Sequence, residues 1–177
     1  MDRLVKIFLT VFAAVVVGHL FANFINYKLE NLKNDPKTPV KYVTMADREK
    51  QLECLARNIY YEAAKESFEG KVAVAQVTIN RARSQHFPND ICKVVYQKNV
   101  IMEKVICQFS WYCTPIAKKK VLYPEAYEEC YAVAKKVLLE GFRLDILKDA
   151  LYYHANYINP KWKKQRVATI GNHIFYK

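Results

Sequence analysis

A carboxyl that gives up a proton near neutral pH needs surroundings that strip its hydration, and Glu62 stands in such a setting. It follows Tyr60-Tyr61 and precedes Ala63-Ala64, at the end of an apolar helical pattern. Aromatic and apolar neighbours disfavour the charged form of a carboxyl and raise its pKa, which is the state a general acid requires. A solvated helix carboxylate is the commoner occupant of such a position when local sequence is the only guide. Glu66 lies four residues on, within a turn if the helix continued, but Ser67 and Gly70 point to an end nearby. A second constellation is Gln108-Phe109-Ser110-Trp111. Its amide and hydroxyl can hydrogen-bond a polar ligand and its rings can stack, whereas the plainer alternative is a polar loop over two buried aromatics. A third is Tyr152-Tyr153-His154-Ala155-Asn156. On a strand the period of two puts Tyr152, His154 and Asn156 on one face and Tyr153 on the other. His154 is placed either to orient a ligand or to serve the structure. His86 and His173 have no partners at ligand spacing, so neither a metal nor a cofactor is expected.

Several elements must position these groups. Leu52, Leu55, Ala56, Ile59 and Tyr60 recur at three- and four-residue intervals, which predicts a helix from about Ala46 to Ala64. Ser67 is a fitting N-cap for a second helix that reaches Arg83. Phe87-Pro88-Asn89-Asp90 reads as a turn whose Asn89 or Asp90 caps a short helix over Ile91–Tyr96. Residues 98–122 read as irregular. Pro124 and Gly141 bracket a further helix in the asymmetric manner of helix ends. The closing stretches ALYYHANYI and VATIGNHIFY, rich in aromatic and β-branched residues, read as two strands of a small antiparallel sheet.

Charge and hydropathy narrow the class. The 177 residues carry a formal charge of +11, and from Lys41 onward 23 Lys/Arg face 14 Asp/Glu. Such a surplus suits polyanionic partners: nucleic acid, anionic lipid or an anionic wall. With four glycines there is little room for a phosphate-binding loop, and no zinc-finger or RNA-recognition signature is present, so no nucleic-acid partner is expected. Residues 7–25 contain no Lys, Arg, Asp or Glu and are about long enough to cross a bilayer, which predicts a transmembrane anchor or uncleaved signal. The domain beyond it is expected outside the cytoplasm, on the periplasmic side.

LARNIYYEAAKESFEGKVAVAQVTINRARSQHFPNDICKVVYQ, then CQFSWYC, then ALYYHANYINPKW and IGNHIFYK together resemble the SleB/CwlJ-type cell wall hydrolases, in order and across roughly Leu52 to Lys177. The resemblance implies a lysozyme-like, lytic-transglycosylase-type fold. It also implies cleavage between N-acetylmuramic acid and N-acetylglucosamine in peptidoglycan, with Glu62 as the catalytic acid. It makes Gln108, Ser110, Trp111, Tyr153 and His154 candidate substrate contacts. Where the family continues Glu-Ala-Arg-Gly-Glu, this chain has Glu62-Ala63-Ala64-Lys65-Glu66. Cys92, Cys107 and Cys113 match cysteines of exported relatives, and a disulfide among them would staple the irregular segment; Cys54 and Cys130 are then buried thiols or a second bridge.

The expectation is an α+β, helix-dominated lysozyme-like domain over 46–177 with a small antiparallel sheet. A tail over 1–6, the transmembrane helix over 7–25 and a polar tether over 26–45 precede it. Peptidoglycan is the expected partner, together with the membrane through the N-terminal helix, for a monomeric protein acting in phage lysis or wall remodelling. A non-catalytic wall-binding or membrane scaffold that keeps the fold is the alternative.

Overall fold

The structure, a computed structural model, describes residues 2–34, 44–115 and 121–177. The chain divides into two compact units, Met1–Lys41 and Tyr42–Lys177. In the first, α1 spans Asp2–Asn34. Among the described residues no helix is long and apolar enough to cross a membrane; the side chains of residues 7–11 and 13, within the span expected over 7–25, lie outside those described. Pro36 and Pro39 of the tether, and the run Lys118-Lys119-Lys120, lie outside the described residues.

The second unit is built on three long helices: α2 (Met45–Ala63), α3 (Phe68–Arg83) and α5 (Pro124–Leu138), with the short α4 (Ile91–Val95) beside them. Their starts follow from sequence. The Thr44 hydroxyl accepts from the Asp47 N–H at 3.0 Å, that of Ser67 from Gly70 at 3.3 Å, and the Asp90 carboxylate from Lys93 at 2.8 Å. Each cap satisfies a donor the helix itself leaves unpaired. Leu52, Leu55 and Ile59 of α2 pack with Val72 and Val74 of α3 and with Val133 and Val137 of α5 in one core. Each such side chain contributes roughly 1.5–3 kcal/mol on leaving water. Two buried amides fix the arrangement. Asn58 donates to Thr78 Oγ1 and accepts from the Trp111 indole N–H, both at 3.1 Å, while Gln51 accepts from the Ile91 N–H at 2.8 Å and so holds the start of α4 against α2.

Two segments differ from the sequence reading. Residues 98–107, expected to be irregular, form a hairpin of β1 (Lys98–Ile101) and β2 (Lys104–Cys107). Its turn, Met102-Glu103, takes left-handed backbone angles (φ 47° and 65°) without glycine, so the usual hairpin signal was missing. VATIGNHIFY is two strands rather than one: β4 (Arg166–Ile170) and β5 (His173–Tyr176), joined through Gly171 at φ 55° and Asn172. With β3 (Tyr152–Ala155) they form an antiparallel sheet in the order β3-β5-β4.

Cross-strand pairing sorts the sheet into two faces. Tyr152, His154, Ile174, Tyr176, Arg166 and Thr169 lie on one; Tyr153, Ala155, His173, Phe175, Ala168 and Ile170 lie on the other. The second face packs on α3, where Ala73 and Val77 meet Leu147, Ala150 and Phe175. The segment leading into β3 is held through its backbone. Gln76 exchanges two hydrogen bonds with Leu144 (3.1 and 2.8 Å), Asn80 donates to the Leu147 and Ala150 carbonyls, and Arg81 Nε donates to the Leu151 carbonyl at 2.7 Å. One polar row of α3 therefore delivers β3 to its place beside α2.

Candidate active site

The last turn of α2 and the inner face of the sheet enclose a cleft of about 460 Å³, a volume suited to a small ligand or one segment of a polymer. Its lining includes Tyr60, Tyr61, Glu62, Lys65, Glu66, Ala155, Tyr157, Asn172 and His173. Glu62 is its central acid. The Tyr153 hydroxyl, on β3, donates to Glu62 Oε2 at 2.9 Å. Burial pushes the Glu62 carboxyl above the ordinary carboxylate range; the Tyr153 hydrogen bond and the Arg81 guanidinium pull the other way without reversing the shift. A half-buried carboxyl held towards its protonated form at the wall of an open cleft can donate a proton to a bound leaving group.

Glu66 has the opposite environment. Burial raises its pKa, but that effect is outweighed by the Asn172 N–H and side-chain amide, each donating at 3.0 Å, with His173 and Lys71 adding to them, so the carboxyl is held below its usual range. Glycines on both sides make room for it. A Cβ on Gly171 would stand 2.0 Å from Glu66 Oε2, and one on Gly70 would stand 2.7 Å from Glu66 Cβ. Two carboxyls four residues apart in sequence are thereby driven in opposite directions.

The six residues singled out from sequence do not gather in one place. Glu62 lines the cleft, and Tyr153 touches it through the Glu62 hydrogen bond. Trp111 is only 6% exposed, stacks on Tyr61 at 4.4 Å between ring centroids, and spends its N–H on Asn58. It therefore supports the cleft wall from behind. Gln108 and Ser110 flank the buried Phe109 and are absent from the cleft lining. His154 is on the outer face of the sheet. Its Nδ1 donates to the Ala155 carbonyl at 2.8 Å, and its Nε2 pairs with the Tyr176 hydroxyl at 2.9 Å.

Sequence reasoning missed two residues. His173 is 7% exposed, lines the cleft, packs edge-on against Tyr153 at 5.2 Å, and has an Nδ1 with no hydrogen-bond partner among the described residues. Burial lowers its pKa, with His154 adding to that and Glu66 opposing it, so the ring is neutral at pH 7. Arg81 is 4% exposed, beneath the site, with its guanidinium 5.2 to 5.9 Å from the ring centres of Phe109, Phe87 and Tyr153. Its spacing was a readable signal: Val74, Val77 and Arg81 repeat at three and four residues, placing a cation on a buried helix face. Among the described residues no group of three His, Cys, Asp or Glu is placed to hold a metal ion.

The disulfides are Cys54–Cys92, with Cα atoms 5.2 Å apart, and Cys107–Cys113, at 5.8 Å. Cys92 thus ties α4 to α2 instead of joining the loop, because the first turn of α4 lies against Cys54. Cys107–Cys113 closes the segment that carries Gln108 to Trp111, and Cys130 is a buried thiol.

Comparison with known proteins identifies the family. The family described as Cell Wall Hydrolase matches residues 65–176, a stretch that begins just after Glu62. The spore cortex-lytic enzyme of Bacillus subtilis (strain 168) is 30% identical over 129 residues, covering 68% of this chain and 35% of that protein. The spore cortex-lytic enzyme of Bacillus cereus is 29% identical over 134 residues, covering 71% and 44%. The chain therefore spans less than half the length of these relatives. The catalytic domain of the Bacillus cereus SleB protein superposes with a TM-score of 0.55 at 25% identity, over 73% of this chain and 91% of that one. At 24% identity and the same TM-score, the catalytic domain of the germination-specific lytic transglycosylase SleB of Bacillus anthracis shares the fold. With more than half of its length matched, the chain belongs to the Cell Wall Hydrolase family.

Proposed function

We propose that this chain cleaves the glycan strand of peptidoglycan between N-acetylmuramic acid and N-acetylglucosamine by lytic transglycosylation, with Glu62 as its acid and then its base. The observation that carries the reading is the contrast between the two carboxyls of the cleft. Glu62 is held towards its protonated form, while both oxygens of Glu66 are engaged by Asn172. Ordinary glycosidases need a second carboxylate free to act as nucleophile or to activate water. Glu66 is not free in that sense.

The chemistry balances with a single acid. The Glu62 carboxyl gives its proton to the bridging oxygen as the bond from that oxygen to C1 of muramic acid breaks. The resulting carboxylate takes the proton of the muramic acid C6 hydroxyl as O6 bonds to C1. A 1,6-anhydro ring forms, Glu62 is again protonated, and no water is consumed. The substrate's own N-acetyl group can stabilise the positive charge that develops at C1. His173, which lines the cleft, is proposed to contact the sugar, and Tyr153 to orient the acid. Gln108 and Ser110 retain a proposed role only for a strand that extends beyond the cleft.

Digestion of purified sacculi by the full chain, followed by mass spectrometry, tests the mechanism. Anhydro-muramic products are expected, and none from Glu62→Gln. Products bearing only reducing-end muramic acid would overturn it.

Action outside the cytoplasm belongs to the same proposal and is supported by the two disulfides, which persist in oxidising compartments. Membrane association through α1 is supported by the exposed Phe12, Val17, Leu20 and Phe21. Fractionation of cells expressing the full chain or residues 42–177 tests it: only the full chain should sediment with membranes. Wall remodelling and phage lysis are the two settings in which such an enzyme would act.

A further inference from the structure

The outer face of the sheet, turned away from Glu62, is built for contact rather than for packing. Trp162, in the connection between β3 and β4, is 40% exposed yet fixed on three sides. It meets His154 at 5.5 Å, Tyr176 at 5.8 Å and Tyr152 at 6.2 Å between centroids, each at a steep angle. The residue before it, Lys161, has a φ of 52°, a left-handed conformation that a lysine adopts only when its surroundings impose it. The effect is to hold an indole rigidly at the surface. His154 is locked in turn by stacking on Tyr176 and by hydrogen bonds to both ring nitrogens.

Cations surround this aromatic cluster. Lys161, Lys163, Lys164 and Arg166 are all exposed, and Lys164 Nζ sits 3.5 Å from the centre of the Tyr152 ring. No acidic residue occurs between Ala150 and the C-terminus. An exposed, immobilised aromatic face suits the flat apolar side of a sugar ring, and a ring of uncompensated cations suits carboxylates attached to that sugar.

We propose that this face is a second binding site, which grips an anionic wall glycan, the strand with its stem-peptide carboxylates, at a place separate from the cleft. Trp162 stacks on a sugar, and Lys161, Lys163, Lys164 and Arg166 neutralise the carboxylates. The identity of the polymer rests on the wall-glycan reading of the Glu62 cleft; the chemistry of the surface does not. Such a site would hold the enzyme on its insoluble substrate between cleavage events.

Co-sedimentation with purified sacculi, freed of covalently attached polymers, tests the proposal in the full chain carrying Glu62→Gln, so that the substrate stays intact. Trp162→Ala is expected to weaken retention about fivefold or more. Because that change removes packing from three rings, a second variant with Lys161→Glu, Lys163→Glu and Lys164→Glu alters only exposed positions and should lose retention to a similar degree. Amidating the sacculus carboxyls should reproduce the loss for the parent and leave the triple variant unaffected. In the Glu62-intact background, both surface variants should cleave a soluble tetrasaccharide fragment at the parental rate while releasing less material from sacculi.

Retention unchanged in the triple variant would overturn the proposal. Equal loss on the soluble fragment would also overturn it, since the surface would then belong to the cleft. Failure of the catalytic reading looks different: Glu62→Gln would release muropeptides as the parent does, whatever the surface variants did to retention.

Discussion

The Tyr153 hydroxyl donates to Glu62 Oε2 at 2.9 Å, joining the first strand of the three-stranded sheet to the end of α2 across 91 positions of sequence. The same phenol sits within 5.9 Å of the Arg81 guanidinium, measured to the ring centre. Acid, phenol and buried cation therefore form one electrostatic unit, in which burial drives Glu62 towards its neutral form and the other two restrain that drive.

Tyr153→Phe removes the hydrogen bond while keeping the ring. The bond favours the carboxylate, so its loss raises the Glu62 pKa further, and the alkaline limb of the activity profile should move to higher pH. Release at pH 7 should nevertheless fall about tenfold, the cost of losing one hydrogen bond that orients a charged group. A pH–rate profile of muropeptide release checks both effects. An alkaline limb that moved to lower pH would contradict the assigned role.

Glu62→Gln should lower release by roughly 10²- to 10⁴-fold, the range for loss of a general acid–base group. It should also stabilise the fold at pH 7. A carboxyl whose folded pKa lies above its unfolded value binds more protons folded than unfolded, so it destabilises the protein at a pH where the unfolded chain is ionised. Below the ordinary carboxylate range both states are protonated and the difference disappears. Melting curves of the two proteins should therefore separate at pH 7, with the Glu62→Gln variant higher, and converge near pH 3.

Helices α2, α3 and α5 were legible from apolar repeats at three and four positions in α2, the Ser67 cap of α3 and the Pro124 and Gly141 that bracket α5. The hairpins were not. Met102-Glu103 gives no glycine signal, and Gly171-Asn172 lay hidden inside a run that read as one strand. The candidate site was legible in part. Glu62 was suggested by its aromatic and apolar neighbours and singled out by the family resemblance, whereas Trp111 looked like a stacking surface because nothing nearby reveals that its N–H bonds Asn58, 53 residues away. His154 and Tyr153 were correctly assigned to opposite faces. Which face meets the cleft is decided by the row Gln76, Asn80 and Arg81, whose partners lie about 70 residues further on.

Breaking the Cys54–Cys92 bridge with Cys54→Ser and Cys92→Ser should cost about 2–4 kcal/mol, since it removes a crosslink over 38 positions between α2 and α4. Loss of Cys107–Cys113, which spans 6, should cost less globally and loosen the 108–111 segment locally. Denaturant melts rank the two variants, and hydrogen exchange should show the second effect confined to that loop. Equal global destabilisation would argue against it.

The clip between Glu66 and the β4–β5 turn gives the most discriminating test. Glu66 has a lowered pKa, so it stabilises the fold above the usual carboxylate range, and that contribution is lost as pH falls through its folded value. Glu66→Gln should accordingly melt lower than the parent at pH 7, with the gap closing in acid. Gly171 contributes twice: its φ of 55° disfavours a side chain, and an added Cβ would collide with Glu66 Oε2. The two effects separate by substitution. Gly171→Asn tolerates the left-handed backbone but still places a Cβ against the carboxylate, so it should destabilise by about 1–3 kcal/mol. Made together with Glu66→Ala, it meets no carboxylate and should cost little beyond Glu66→Ala alone. Gly171→Ala in that same background should remain destabilising, because the backbone penalty persists. A double-mutant cycle in urea measures the coupling, and simple additivity of Gly171→Asn with Glu66→Ala would show that the carboxylate is not held against the turn.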